Sequence, residues 1–241
     1  ERRPHVSIVC NFSKPTATKP SLLTLMEVRT LFHEFGHALH SLLSQCHYRS
    51  RTGVVEGRGV EEGASQLMEN WVYEQEALSL FAHHYESKNL IPTDLIKKIK
   101  ESASFQAGYM MLRQLTFAFL DMAWHSHRSK DITDVLEFED RITKDLRVLP
   151  KIPGGNQSVS FQHIFSGGYS AGYYSYKWAE VLEADAFELF KEKGIFNESV
   201  ATAFREHVLE RGGTEHPMTL YKSFRGHEPD TKALLRRDQL I

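Results

Sequence analysis

The most informative stretch of this chain is LFHEFGHALH, at residues 31–40. On an α-helix, His33 and His37 lie four positions apart, so both imidazole rings leave the same face one turn apart. Two neutral ring nitrogens at that spacing can bind one zinc ion at about 2.0–2.1 Å. Glu34 follows the first histidine and can reach a water on the metal without binding the metal itself. The arrangement is typical of zinc metalloproteases and predicts a metal site on a helix.

The residues around this motif predict a helix that begins near Leu25. Thr24 and Glu27 have the spacing of a capping box, in which each side chain bonds the backbone amide of the other residue. Apolar residues recur at helical period as far as Leu43, so one face of the helix is expected to be buried. Gly36 would cost about 1 kcal/mol relative to alanine in an exposed helix. It therefore predicts close packing against another backbone or against substrate.

A third metal ligand is expected elsewhere, because a catalytic zinc usually has three protein ligands and a water. The segment GVEEGASQLMENW, residues 59–71, is predicted to begin a second helix. Its acidic residues Glu61, Glu62 and Glu69 are all candidates, and spacing alone does not separate them. A solvated acidic face would contain the same residues without any metal.

A glycine- and tyrosine-rich segment, HIFSGGYSAGYYSYKW at residues 163–178, holds a second set of candidates. Glycines let a loop bend tightly and approach a ligand closely. A tyrosine hydroxyl can donate a hydrogen bond to an oxyanion while its ring packs against substrate. From the residues alone, an aromatic cluster in the core explains the pattern equally well. The candidates are His163, Tyr169, Tyr173, Tyr174 and Tyr176.

Taken together, these motifs resemble the thimet oligopeptidase family of zinc peptidases, and within it the bacterial branch. The likeness extends along essentially the whole chain, through RGGTEHPM at residues 211–218 and FRGHEP at residues 224–229. It implies a mainly α, zincin-like helical catalytic domain with a small β-sheet. That domain would span residues 1–241 and form the C-terminal part of a larger chain.

The resemblance also implies roles for individual residues. In that family the third zinc ligand stands where Glu62 stands here, which completes a site with His33 and His37. Glu34 would be the general base on a zinc-bound water that attacks a peptide carbonyl. The implied function is a zinc-dependent endopeptidase that hydrolyses short oligopeptides. The residues implied to stabilise the oxyanion and contact substrate are His163, Tyr169 and Tyr176, with Tyr173 as a further substrate contact.

Two other functions stay open at this point. A dipeptidyl carboxypeptidase of the same family would release C-terminal dipeptides, and Lys177 favours the endopeptidase only weakly. The other alternative is a non-catalytic module that binds zinc or peptide. The family usually has aspartate three residues before the glutamate ligand, whereas this chain has Gly59 there. Loss of a carboxylate that supports a metal site lowers affinity or activity roughly 10- to 100-fold, so weakened activity is expected.

Composition limits the partners of the chain. Its 241 residues can bury a sizeable core, and 41% hydrophobic and 25% charged residues are ordinary for a globular protein. A net charge of −2 without a basic block argues against nucleic acid or an anionic membrane as partner. Two cysteines, Cys10 and Cys46, favour a reducing compartment over a disulfide framework. We therefore expect a cytoplasmic monomer that acts on short peptides, or an organellar one if a targeting segment has been lost.

The predicted secondary structure is mostly helical. An alternating, β-branched run at residues 5–12 predicts a strand that could pair with extended substrate. A short strand or turn is expected at residues 52–57, and a proline- and glycine-rich loop at residues 148–168. Helices are predicted at about 25–45, 62–86, 93–127 with a break near Gly108, 131–147, 170–193, 198–211, 216–225 and 230–238.

Overall fold

The computed structural model describes residues 4–52 and 58–241, and the side chains of residues 58–61 and 129 lie outside that description. The described part is mainly helical, which confirms the mainly α character predicted from the sequence. Short 3-10 turns and irregular loops join the helices. The α-helices are α1 (Leu25–Leu43), α2 (Arg58–Glu69), α3 (Gln75–Phe81), α4 (Thr93–Ala103), α5 (Ala107–Ser126), α6 (Val135–Thr143), α7 (Gln162–Phe165), α8 (Ser175–Lys193), α9 (Glu198–Phe204), α10 (Pro217–Arg225) and α11 (Thr231–Arg237).

The motif helix α1 begins where the sequence predicts it. The Thr24 hydroxyl accepts a hydrogen bond from the Glu27 amide at 3.2 Å, and the Glu27 carboxylate accepts one from the Thr24 amide at 2.7 Å. Glu27 also accepts hydrogen bonds from the amide and hydroxyl of Ser13, at 2.7 and 2.9 Å. These bonds, led by those from the two backbone amides, lower the pKa of Glu27 to about 2. The capping box therefore fixes the helix start and ties the N-terminal segment to it.

The small β-sheet expected from the sequence is not present among residues 4–52 and 58–241. Residues 5–12 form no strand. Within the described ranges, β-pairing is limited to one isolated antiparallel bridge between His83 and Leu90. A strand needs a neighbour whose backbone groups pair with its own, and a strand-like composition does not supply that neighbour. The strand or turn expected at residues 52–57 falls almost entirely outside the described residues.

Several long predicted helices are divided in the structure. The helix predicted at 62–86 begins earlier, at Arg58, and is interrupted by a 3-10 turn over Asn70–Tyr73 before α3. The helix predicted at 93–127 with a break near Gly108 is interrupted over residues 104–106, where Gln106 has a left-handed φ of 57°. Hydrophobic periodicity does not mark such a break, because the apolar pattern resumes directly after it.

The core lies where α1 packs on α2 and α2 packs on α8. Burial of each large apolar side chain there stabilises the fold by roughly 1.5–3 kcal/mol. The Trp71 indole N–H donates to the carbonyl oxygen of Ile195 at 3.2 Å, which satisfies the one polar atom of that buried ring. The buried apolar cluster includes Leu67, Trp71, Leu182, Phe187, Phe190, Ile195, Val200, Val208, Tyr221 and Phe224.

Among the described residues, no helix has the length and apolar character required to cross a bilayer.

Candidate metal centre

The helices α1 and α2 approach very closely at Gly36. A Cβ atom placed on Gly36 would lie 2.5 Å from the Cα of Ser65 and 2.9 Å from the carbonyl oxygen of Ala64. Ser65 is fully buried, and its hydroxyl donates to the carbonyl oxygen of Glu62 at 2.9 Å. The predicted close packing at Gly36 is thus confirmed as a contact with the backbone of α2. Because Gly36 precedes His37, this contact brings the start of α2 to the motif face of α1.

Three side chains with metal-binding atoms meet at this contact: His33, His37 and Glu62. Each offers one ligand atom, and these atoms all lie within 4.8 Å of one another. The Nε2 atom of His33 lies 3.7 Å from the Oε2 atom of Glu62. Two ligands at about 2.0–2.1 Å from a tetrahedral zinc ion are about 3.4 Å apart, so this separation suits one shared ion.

Unpaired buried atoms in the cluster also fit a metal ion. Glu62 is only 5% exposed, and its Oε2 atom has no hydrogen-bond partner among the described residues. The same is true of the buried Nδ1 atom of His37. A buried carboxylate oxygen without a partner is costly, and a cation between the three groups would remove that cost. Two imidazole nitrogens and one carboxylate oxygen form a donor set that zinc accepts.

Glu69 lies behind the first histidine of the motif. Its Oε1 atom is 2.6 Å from the Nδ1 atom of His33, and its other oxygen pairs with Arg29. Burial of the His33 ring opposes protonation, but the hydrogen bond and charge of Glu69 outweigh it and raise the pKa of His33. The bond orients the ring so that Nε2 faces Glu62, as outer carboxylates do around metal-binding histidines.

These contacts distinguish between the acidic residues of α2 that are candidates for the third metal ligand. The structure brings Glu62 to the ligand face of the histidines, whereas Glu69 occupies the opposite edge of His33. The side chain of Glu61 and the surroundings of Gly59 lie outside the described residues. The sequence pattern presents Glu69 either as a ligand or as part of a solvated acidic face, and it does not predict the supporting contact with His33. Its position seven residues after Glu62, on the same helical face, was the available signal.

The other polar residues of α1 lie near this cluster. Glu34 is half-buried, and its charge acts on both His33 and His37 in the direction that favours their protonation. Burial outweighs that effect at His37 and lowers its pKa, so the ring is held in the neutral form that binds metals. His40 is 1% exposed, and burial together with the neighbouring His37 lowers its pKa to about 4.

Tyr169 connects the glycine- and tyrosine-rich segment to the metal-facing carboxylate. Its hydroxyl donates to the Oε1 atom of Glu62 at 3.1 Å. The ring of Tyr176, in the first turn of α8, stacks on the ring of Tyr169 with their centroids 4.9 Å apart. Burial, aided by a hydrogen bond with Tyr169, raises the pKa of Tyr176. The Tyr176 hydroxyl is therefore protonated at neutral pH and can donate.

His163 and Tyr173 join the same aromatic group. The His163 ring lies 6.2 Å from Tyr169 and 6.0 Å from Tyr173, centroid to centroid. The Tyr173 hydroxyl donates to the Oε1 atom of Gln114 at 3.4 Å, so this hydroxyl is directed towards α5. Tyr174 is exposed and is not part of the group. His163 is exposed and Tyr169 and Tyr176 are half-buried, so this side of the group is open to solvent. The half-buried Tyr173 ring packs on Phe117 and Phe161, at centroid distances of 5.8 and 5.1 Å, and joins the group to a buried apolar cluster.

Comparisons with known proteins show the family of this chain. The family model described as Peptidase family M3 matches residues 1–240. This chain belongs to peptidase family M3. It is 43% identical over 239 residues to oligopeptidase A of Escherichia coli, an alignment that covers 97% of the chain and 35% of that relative. The peptidase family predicted from the sequence is confirmed.

Two further relatives differ from each other in name. A probable cytosolic oligopeptidase A of Arabidopsis thaliana is 40% identical, in an alignment that covers 100% of this chain and 35% of that relative. A dipeptidyl carboxypeptidase of Escherichia coli is 38% identical over 235 residues, which are 97% of this chain and 34% of the relative. The chain thus spans about a third of the length of the curated relatives it matches.

Proposed function

We propose that this M3 chain contains the catalytic centre of a zinc-dependent endopeptidase that hydrolyses peptide bonds in short oligopeptides. The observation that carries the proposal is the convergence of His33, His37 and Glu62, whose ligand atoms lie within 4.8 Å of one another. Three protein ligands leave one position of a tetrahedral site open. An open position is typical of catalytic zinc, whereas structural zinc sites are usually closed by four protein ligands.

The residues beside the cluster have the chemistry that peptide hydrolysis needs. A bound zinc ion would supply Lewis acidity and would lower the pKa of a water there towards about 7. Glu34 would accept a proton from the attacking water as the water oxygen bonds to the peptide carbonyl carbon. Glu34 then returns a proton to the leaving nitrogen as the carbon–nitrogen bond breaks. The products are a free carboxylate and a free amine.

The aromatic group would stabilise the negative charge that develops on the carbonyl oxygen. The hydroxyls of Tyr169 and Tyr176 are proposed donors, and the His163 ring is a third. A preorganised donor of this kind contributes about 10²- to 10³-fold in kcat. Tyr173 is proposed to contact substrate through its ring, because its hydroxyl bonds Gln114.

The names of two relatives bear on the cellular compartment of this chain. One Arabidopsis thaliana relative is called cytosolic and another organellar, chloroplastic or mitochondrial. We propose the cytoplasm for this chain, with an organelle as the alternative.

A second candidate function is removal of C-terminal dipeptides. It is favoured by the 38% identity to the dipeptidyl carboxypeptidase of Escherichia coli. Peptides with free and with amidated C-termini distinguish the two activities. Internal cleavage of amidated peptides supports the endopeptidase, whereas cleavage restricted to free C-termini supports the exopeptidase.

The proposed function is tested by Glu34→Gln in the full-length natural protein, with zinc content and peptide hydrolysis measured on the same sample. The variant keeps the size of the side chain but removes its ability to accept a proton. We expect hydrolysis to fall by at least about 100-fold with zinc retained. Glu101→Gln, at an exposed position of α4, is the control and should behave as wild type. Undiminished hydrolysis by Glu34→Gln would contradict the mechanism, and a wild-type protein that binds zinc but cuts no peptide would support a non-catalytic module.

A further inference from the structure

The loop that carries Tyr169 needs an anchor from elsewhere in the fold. It runs over residues 166–174, between α7 and α8, and contains turns but no strand or helix. Ala171 in this loop has a φ of 52°. A residue with a side chain adopts this left-handed conformation only when its surroundings hold it there.

Asp121 of α5 supplies that anchor. Its side chain is fully buried, at 0% exposure. Its Oδ1 atom accepts a hydrogen bond from the Ala171 amide at 2.9 Å, and its Oδ2 atom accepts one from the Tyr173 amide at 2.8 Å. The Nδ1 atom of His125, one turn along α5, lies 2.8 Å from Oδ1. Because a buried carboxylate is tolerated only when it is hydrogen-bonded, the carboxylate and the turn stabilise each other.

The anchored turn lies between the two tyrosines that face the metal-binding cluster. Within the turn, the Gly172 amide donates to the carbonyl oxygen of Tyr169 at 2.9 Å. Beyond it, the Tyr176 amide donates to the carbonyl oxygen of Tyr173 at 3.3 Å. The backbone held by Asp121 is therefore bonded on one side to Tyr169 and on the other to Tyr176. A shift of this turn moves both hydroxyls relative to Glu62.

We infer that Asp121 is a positioning residue of the M3 site. Its carboxylate bonds the two loop amides and pairs with His125, and the described contacts include none between it and the metal-binding side chains. It acts by holding residues 171–173 so that the Tyr169 hydroxyl meets Glu62 and the Tyr176 ring stacks on Tyr169. Its effect on turnover rests on the proposed function, whereas its effect on the loop does not.

The first test is Asp121→Asn in the full-length natural protein. Asparagine keeps the shape, but its NH₂ group cannot accept a hydrogen bond, so one loop amide loses its partner. Oxyanion donors act in the transition state, so kcat should fall roughly 10- to 100-fold with KM within about twofold of wild type. Zinc content should not change. A merely structural role would lower the melting temperature without this split between kcat and KM.

Asp185→Asn is the matched control. Asp185 on α8 is also almost fully buried, at 1% exposure, but its carboxylate bonds the Tyr221 hydroxyl and the Arg225 side chain. This variant also removes a buried carboxylate and should lower stability, yet kcat should remain at the wild-type value. Wild-type kcat in Asp121→Asn, or an equal fall of kcat in Asp185→Asn, would overturn the inference.

Amide hydrogen exchange provides a readout that does not depend on turnover. In the wild-type protein the amides of Ala171 and Tyr173 should be protected although they lie in a loop, and Asp121→Asn should expose at least one of them. Rapid exchange of both amides in the wild-type protein would overturn the inference even if the variant does not fold. If the wild-type protein hydrolyses no peptide, the proposed function fails, and exchange alone decides whether Asp121 holds the loop.

Discussion

Two regions meet at Glu62, and they are held by different means. The metal-binding cluster is built on α1 and α2, whose backbones touch at Gly36. The loop at residues 166–174 is irregular and depends on Asp121, a residue of α5 about fifty positions earlier. A helix pair keeps its side chains in place through its own backbone hydrogen bonds, whereas the loop depends on a carboxylate from another helix. Disturbing the loop should therefore spare metal binding, and disturbing the helix contact should abolish both metal binding and hydrolysis.

The largest effect is expected from Gly36→Ala, which acts on the helix contact. The added methyl group would lie 2.5 Å from the Cα of Ser65, so α1 and α2 must separate. Overpacking of this kind destabilises a fold by about 1–3 kcal/mol, and the separation moves Glu62 away from the histidines. We expect a lower melting temperature, loss of stoichiometric zinc binding and loss of hydrolysis in the same variant.

Gly63→Ala is the control for that prediction. Gly63 is also a helical glycine and follows Glu62 directly, but a Cβ atom there would have no neighbour within 4 Å. The alanine should leave zinc binding unchanged and should stabilise the helix by about 0.5–1 kcal/mol. Equal losses in both variants would mean that any change next to the cluster is harmful, and the Gly36 contact would lose its special role.

The next largest effect is expected from Tyr169→Phe, which acts on the contact between the loop and Glu62. The variant keeps the ring but removes the hydroxyl that donates to Glu62. We expect kcat to fall about 10²- to 10³-fold while zinc remains bound, because the hydroxyl is proposed to act on the oxyanion. Tyr174→Phe, in the same segment but exposed, should retain wild-type kcat. Loss of zinc from Tyr169→Phe would show that the loop cannot be disturbed without disturbing the metal-binding cluster.

A smaller effect is expected from Glu69→Gln, which weakens the support of His33. The amide bonds His33 less strongly than the carboxylate does, so the ring is oriented less firmly. Zinc affinity should fall roughly 10- to 100-fold, as measured by competition with a chelator of known affinity. Glu76→Gln, an exposed glutamate at the start of α3, is the control and should bind zinc as wild type does. An unchanged zinc affinity in Glu69→Gln would mean that the 2.6 Å contact between Glu69 and His33 does not support metal binding.

The sequence anticipates the two regions unequally, for physical reasons. The relation of His33 to His37 and the cap at Thr24 depend on helical period and on bonds within one turn, so both can be predicted from local spacing. Which acidic residue of α2 meets the two histidines depends on how α2 packs against α1. Local spacing does not contain that information. Resemblance to a family supplied it as an expectation.

Contacts between residues far apart in the chain cannot be predicted from local sequence patterns. Asp121 lies in a helix of largely apolar composition, and nothing near it in the chain indicates a loop fifty residues later. The absent strand at residues 5–12 has the same cause, because composition indicates that a segment can pair but not that a partner lies beside it.

The most direct test of the metal centre is a zinc titration of the metal-free chain and of two single variants, Glu61→Gln and Glu62→Gln. The wild-type chain should bind one zinc ion per molecule. Glu62→Gln should lower the affinity by at least about 100-fold, because a direct ligand contributes more than an outer partner does. Glu61→Gln should bind as wild type does. Wild-type affinity in Glu62→Gln, or an equal loss in Glu61→Gln, would contradict the assignment of Glu62 as the third ligand.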